Sequence, residues 1–418
     1  MNRKPGPMRI SILIVAGILI SYIQQMGPSP LLYILRDEFN LQNNEALLNL
    51  CVSIIFPFLV LGGFFGSYIE RRAGIKHLYS FTLAFLSVGL IGNFWATSAV
   101  VFLICRSVYG FGFGLGVPFI GSAIMKWYDP RRREFMTSLN ALFPFIATLI
   151  SFCLMLPLTR LLAGSWRAAL GIWGFLTLAI LVIWNISEPA SSQTIESGEN
   201  TAVQEPALYR NLIRRKPIRC LTLIFMCDFF CYSFIATILP TWLYELGDLT
   251  EAASSVYAAI AFPLIGFLGC LCGGLYTTKK RRLNPPLRFG QVLKLAGLCI
   301  AAVSADFRIT VIGVALFSFG NGVWMPSMYG IPTKLEDMSP IRVGASYTLM
   351  SACGFICGFI SPVIGGWLTD IISSGRVAAG NALHIIGLRT SVFVFGLLNL
   401  IAFIYSMRIT EVGRRNSQ

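Results

Sequence analysis

The sequence predicts an all-α membrane protein of twelve transmembrane helices, arranged as two pseudo-symmetric six-helix bundles. Three observations carry this. The 418 residues are 55% apolar and only 12% charged, against roughly 25% charged residues in soluble domains. The apolar residues fall in blocks of about twenty or more, enough to cross a hydrocarbon core ~30 Å thick at 1.5 Å per residue. Glycine, proline and acidic landmarks then recur at a nearly constant offset, so the chain is built twice.

Taken in order, the blocks predict spans at 10–35, 46–69, 77–97, 99–126, 134–160 and 167–187, then 218–245, 252–276, 289–306, 308–332, 342–372 and 384–409. Only the turn Asp306-Phe307-Arg308 separates the ninth from the tenth. The first block, Ile10 to Leu35, is too long for a signal-peptide core and lacks a small-x-small exit site, so it is read as a span. The expected domains are an N-terminal bundle at 1–187, a cytoplasmic linker at 188–217 and a C-terminal bundle at 218–418. The linker runs from a Ser, Glu, Gln and Pro-rich stretch into the basic segment Arg210 to Lys216. That segment reads as solvated linker or as a basic helix against the anionic inner leaflet.

A net charge of +14 invites a nucleic-acid reading. The placement of the charge argues against it. With the N-terminus inside, the cytoplasmic segments hold 26 of the 33 Lys and Arg, the outer loops hold six, and Arg106 lies within a span. Such a bias is the positive-inside pattern and puts both termini in the cytoplasm. The eleven cysteines lie mostly in apolar segments and the two histidines, His77 and His384, are far apart. The cysteines read as packing residues, and neither a metal site nor a cofactor site is expected.

The repeat is specific. Glu45 and Pro57 correspond to Glu251 and Pro263 at a separation of 206, and Tyr22 and Pro30 to Tyr232 and Pro240 at 210. Gly112, Gly114, Pro118 and Asp129 correspond to Gly320, Gly322, Pro326 and Asp337 at 208. Glycines and prolines kept at one offset mark repeated kinks and close helix contacts. Six spans separate the copies, so both enter the membrane in the same direction. The run Gly110-x-Gly112-x-Gly114-x-Gly116 has no preceding strand and no following Lys-Ser/Thr. It reads as helix packing and not as a phosphate loop.

Local motifs add a family resemblance. Gly62-Gly63-Phe64-Phe65-Gly66-Ser67-Tyr68-Ile69-Glu70-Arg71-Arg72-Ala73-Gly74-Ile75-Lys76 resembles the loop signature G-x-x-x-D-R-x-G-R-K, with Glu70 for Asp and one extra residue before Gly74. Arg106-Ser107-Val108-Tyr109-Gly110-Phe111-Gly112 resembles R-x-x-Q-G-x-G, with Tyr for Gln. Trp166-Arg167, and Pro362-x-x-x-Gly366-x-x-x-Asp370, belong to the same pattern. Across its whole length the chain resembles the major facilitator superfamily of secondary transporters. It is similar within that superfamily to the bacterial cyanate-permease and organic-anion branches, partly through Leu239-Pro240-Thr241-Trp242-Leu243. The fifth span has Leu142-Phe143-Pro144-Phe145 where drug/proton antiporters carry a Gly-Pro signature.

Depth selects the candidate transport residues. Arg106 lies roughly 12 Å from the outer end of its span and Asp228 roughly 13 Å from the inner end. A charge that deep costs about 3 kcal/mol or more unless it meets a partner or water. Lys294, a turn or so from the inner surface, can snorkel. Rim solvation accounts for Glu245, Asp306 and Arg308. Asp228 reads as a protonation site for coupling or as a counter-ion to a buried donor. Arg106 reads as a substrate ligand or as a partner of backbone carbonyls. The resemblance further implies that Tyr22, Gln25, Arg106, Tyr109, Asn140, Tyr232, Asn321 and Trp324 lie on cavity-lining spans. It implies a cytoplasmic gate in which Glu70 and Arg71 meet Arg131, Arg132 and Arg133, with Asp337 in a second copy.

The expected function is therefore proton-coupled movement of a small solute, an organic or inorganic anion, by alternating access. The expected partners are substrate, lipids and protons, and the setting is a monomer in a bacterial inner membrane. An exporter of amphiphilic compounds and a non-transporting sensor on the same fold are the rivals. A membrane-embedded enzyme fails for want of paired deep carboxylates, a His cluster or a nucleophile–base set.

Overall fold

Apolar blocks of this length must satisfy their backbone internally once they leave water, and helices do so. The computed structural model describes residues 7–42, 44–127, 130–187, 206–247, 249–336, 338, 340–374 and 381–409. Among these are twelve helical segments long and apolar enough to cross a membrane. They are spans 1 to 6 (Ser11–Glu38, Glu45–Glu70, Arg72–Trp95, Ala99–Ile120, Leu142–Leu161, Trp166–Ser187) and spans 7 to 12 (Lys216–Gly247, Glu251–Lys280, Asn284–Val303, Phe307–Thr333, Arg342–Ser373, His384–Met407). The twelve-helix fold predicted from the sequence is the fold found. Most of the expected linker, residues 188–205, lies outside the described residues; Pro206–Arg214 is a helix that leads into span 7.

The chain forms two compact units, residues 1–42 with 50–200, and residues 43–49 with 201–418. In the first, span 1 is broken. Its helix ends at Gln25, a 3-10 turn follows at Ser29–Leu31 next to Pro28, and helix resumes at Leu32. Spans 2 and 3 run together and change direction at Gly74, whose φ of 82° and ψ of 167° suit a residue with no Cβ. In the second unit, span 8 widens into a π-helical turn at Ile260–Leu264 around Pro263, which has no N–H to donate. The copy of that turn is the break between Ser53 and Ile55 in span 2.

The repeated glycines sit at repeated contacts. A Cβ on Gly114 would fall 2.2 Å from the Leu59 carbonyl oxygen, and one on Gly322 would fall 2.1 Å from that of Gly266. Span 4 thus lies on span 2 as span 10 lies on span 8. Gly112 faces Phe85 and Leu86 of span 3 as Gly320 faces Gly290 and Lys294 of span 9. Two arginines complete the pattern. Arg167, opening span 6, donates from Nε to the Ala96 carbonyl at 2.9 Å, just beyond span 3. Arg389, in span 12, donates from Nε to the Ala302 carbonyl at 3.0 Å, at the end of span 9. Each side chain supplies a cation to carbonyls that a helix end leaves free.

Candidate functional site

Breaking spans 1 and 2 frees backbone carbonyls inside the apolar core, and an orphaned carbonyl there is costly. Arg106 answers both breaks. Its Nη1 donates to the Gln24 carbonyl at 2.7 Å, and Nη2 donates to the Gln25 carbonyl at 2.9 Å and the Val52 carbonyl at 3.4 Å. Gln25 ends the first helical segment of span 1, and Val52 lies beside the break in span 2. The guanidinium centre lies 5.0 Å from the Tyr109 ring centroid, and the Tyr109 hydroxyl donates to the Ser21 carbonyl. Arg106 is 2% exposed. Among the described residues no carboxylate lies within ion-pair distance of it. Its Nε and the side-chain amide of Gln24 are buried without a partner among the described residues.

Of the two readings open for Arg106, the carbonyl contacts are the ones present. The structure brings Tyr22, Gln25, Arg106 and Tyr109 together in unit 1. Tyr22 packs edge-on against Phe113 at 5.0 Å, and Phe113 lies 6.3 Å from the Tyr109 ring.

Unit 2 gives Asp228 buried donors, as the counter-ion reading of it required. Lys294 of span 9 donates to its Oδ1, and Gln291, one turn earlier, donates to Oδ2 at 2.9 Å. Lys294 is fully buried and does not snorkel. Its ammonium lies 5.2 Å from the Trp324 ring centroid and 6.0 Å from that of Phe317. The reason is rotation: span 9 turns this face inward, where a carboxylate at matching depth is a better partner than distant water. Glu245 differs too. It is no rim residue, for its side chain is 8% exposed and it binds His384.

The other expected pathway residues of unit 2 gather near this pair. The Trp324 indole donates to Asn321 Oδ1 at 3.2 Å. Aromatic contacts join Trp324 to Phe225, Phe225 to Phe229, and Phe229 to Tyr232. Asn321 and Trp324 are buried, while Tyr22 and Tyr232, repeat partners, each keep part of their surface exposed. Asn140 has its side chain outside the described residues, as do Arg71, Arg131, Arg132, Arg133 and Asp337 of the expected gate. Glu70 is half-buried. Gln291 and Lys294 were missed as site residues. The signal for Lys294 was an acid and a base within apolar spans of the same repeat.

Known proteins resemble the chain over most of its length. The model of the Major Facilitator Superfamily matches residues 14–335. The probable sulfoacetate transporter SauU of Cupriavidus necator is 23% identical, over 91% of this chain and 92% of its own. A probable sugar efflux transporter of Helicobacter pylori is 22% identical, over 82% of this chain and 79% of its own. A solved structure of a bacterial homologue of the human lysosomal transporter Spinster superposes with a TM-score of 0.81, at 14% identity and 97% coverage of both chains.

Proposed function

The chain belongs to the Major Facilitator Superfamily, and from that premise we propose that it is a secondary transporter which carries a small organic anion together with a proton by alternating access. One observation carries the anion. Two deep charges of opposite sign would cancel and suit a neutral solute, but Asp228 is already matched by Lys294. Arg106 therefore remains an uncompensated positive charge among the described residues. A fixed positive charge in a low-dielectric site attracts anions. The sulfoacetate relative agrees with this choice. The Helicobacter pylori relative favours a neutral sugar as the second reading.

A thermal-shift screen of the purified protein against small sulfonates, carboxylates and neutral sugars separates the two. Stabilisation by anions alone supports the proposal. Stabilisation by sugars alone ends it. Flux of the stabilising solute into proteoliposomes then separates a transporter from a sensor.

The proton is assigned to Asp228. Protonating Asp228 removes one charge of a neutral buried pair and leaves Lys294 unmatched, which is unfavourable until an anion adds its negative charge nearby. Proton and anion thus favour each other, a coupling of the reciprocal kind. Asp228→Asn fixes the carboxylate in a neutral form. It is expected to keep substrate exchange across the membrane and lose accumulation driven by a pH gradient. Breaking a buried pair costs about 3–5 kcal/mol, so the neutral double variant Asp228→Asn with Lys294→Gln is the companion, with the same expected loss. Accumulation at the wild-type level in either variant would make Asp228 a structural counter-ion. The same proposal places both termini in the cytoplasm of a bacterial inner membrane, with Glu70 and Arg71 gating that side against Arg131, Arg132 and Arg133, and Asp337 in the second copy.

A further inference from the structure

At the opposite end of unit 2 from the linker, the start of span 2 is seated on span 11. Asn49 donates from Nδ2 to the Pro362 carbonyl at 3.1 Å. Gly366 leaves no Cβ where the Glu45–Ala46 backbone passes: a Cβ there would lie 2.5 Å from the Ala46 nitrogen. Asp370 accepts the Glu45 N–H at 3.0 Å and the Ala46 N–H at 3.3 Å. Pro362, Gly366 and Asp370 are four residues apart and so share one face of span 11. Asp370 thus caps, from another helix, the free N–H groups that open Glu45–Ser53.

His384, the first residue of span 12, closes this seat. Its Nδ1 lies 2.5 Å from Glu245 Oε2, at the end of span 7, and its Nε2 lies 3.4 Å from Glu45 Oε1. The two carboxylates sit at opposite edges of the ring and cannot converge on one metal ion. They suit a ring with a proton on each nitrogen. A neutral imidazole has one N–H and one lone pair, so one of the two carboxylates would then face a lone pair. Among the described residues the titratable groups facing the ring are Glu245 from span 7, Glu45 from span 2 and Asp370 from span 11. The ring keeps 18% of its surface, so water can deliver the proton.

We propose that His384 is a proton-binding site whose occupancy fastens residues 45–49 to unit 2. With a proton bound, one cation bridges two acids and the start of span 2 is held. Without it, three carboxylates from three helices face one another around a neutral ring and the seat loosens. Span 2 continues from residue 50 into unit 1, so the chain itself carries the event from one unit to the other. On the orientation proposed above, this end faces outside and responds to external pH.

Hydrogen exchange of the full-length protein in lipid nanodiscs tests this directly, because the Glu45 and Ala46 amides are the groups the seat protects. Protection in peptides covering 44–49, corrected for chemical exchange, is expected to fall about tenfold or more between pH 5.5 and pH 9. His384→Gln carries no titrating ring and is expected to remove the step. Glu245→Gln withdraws one acid from the imidazolium and is expected to move the midpoint to lower pH, which a purely structural role would not do. Flat wild-type protection over this range overturns the proposal even if no variant folds. So does a step of unchanged size in His384→Gln. The readout needs no substrate, and its outcome is independent of the anion reading.

Discussion

A guanidinium inside a bilayer needs acceptors, and Arg106 finds them in carbonyls that two broken helices leave over. Charge and fork geometry are separate properties of that side chain, and substitution can separate them. Arg106→Lys keeps the charge but loses the planar fork that reaches both helix ends. It is expected to cost about 1–3 kcal/mol, the penalty for a buried polar group left unmatched, while anions still stabilise the protein. Arg106→Gln removes the charge. For an anion bound about 8 Å away, the lost Coulomb energy is about 2 kcal/mol at an effective dielectric constant of 20, so anion affinity is expected to fall roughly thirtyfold. Ligand titrations followed by thermal shift read both effects. Equal anion affinity in wild type and Arg106→Gln would remove the reason for preferring an anion. Asp228 makes the same point from the other side, since its worth depends on Lys294, a residue that depth alone assigned to the surface.

Elements repeat more faithfully than side chains do. The glycine offsets in the sequence mark positions where helices touch backbone to backbone, and the contacts of Gly114 and Gly322 are equivalent in the two units. Gly114→Ala and Gly322→Ala are each expected to destabilise by about 1–3 kcal/mol through overpacking. Gly274→Ala in span 8 meets nothing within 4 Å and is expected to be neutral or slightly stabilising. Thermal unfolding of the three variants checks the contrast, and a Gly114→Ala protein as stable as wild type would contradict the close approach. Spans, kinks and repeat were legible because hydropathy, proline and glycine act locally. The partners of Asp228, Glu245 and His384 were not legible, because they depend on how each helix is rotated about its axis. A span of nearly uniform hydropathy records that rotation poorly. Lys294 and Asp228 were both visible as charges, and only the packing of span 9 on span 10, through Gly290 and Gly320, turns one toward the other. The carbonyls that hold Arg106 were hidden for another reason, since every residue has one and only a helix break makes it available.

At the scale of the whole molecule, the orientation proposed for the chain rests on charge, and burial of Lys294 alters the count. That lysine serves Asp228 and not the inner surface, so 25 of the 33 Lys and Arg remain on the proposed cytoplasmic side, against six outside. The bias is still about fourfold, well beyond what a single residue can reverse, and it is spread over both halves. Arg71, Arg72 and Lys76 lie around the junction of spans 2 and 3, and Lys279 to Arg282 lie around the junction of spans 8 and 9, at the equivalent position of the second copy. The proposed placement of the linker and both termini in the cytoplasm rests on this bias and on two sequence copies separated by six spans. Reporter fusions after residues 40, 130, 200 and 280 are therefore expected to read outside, inside, inside and inside. The fusion at 200 is the most informative. An outside signal there would require an odd number of crossings before the linker, and the two halves would then be inverted and not parallel. Such a result would also move the His384 seat to the cytoplasmic side, where it would respond to internal pH.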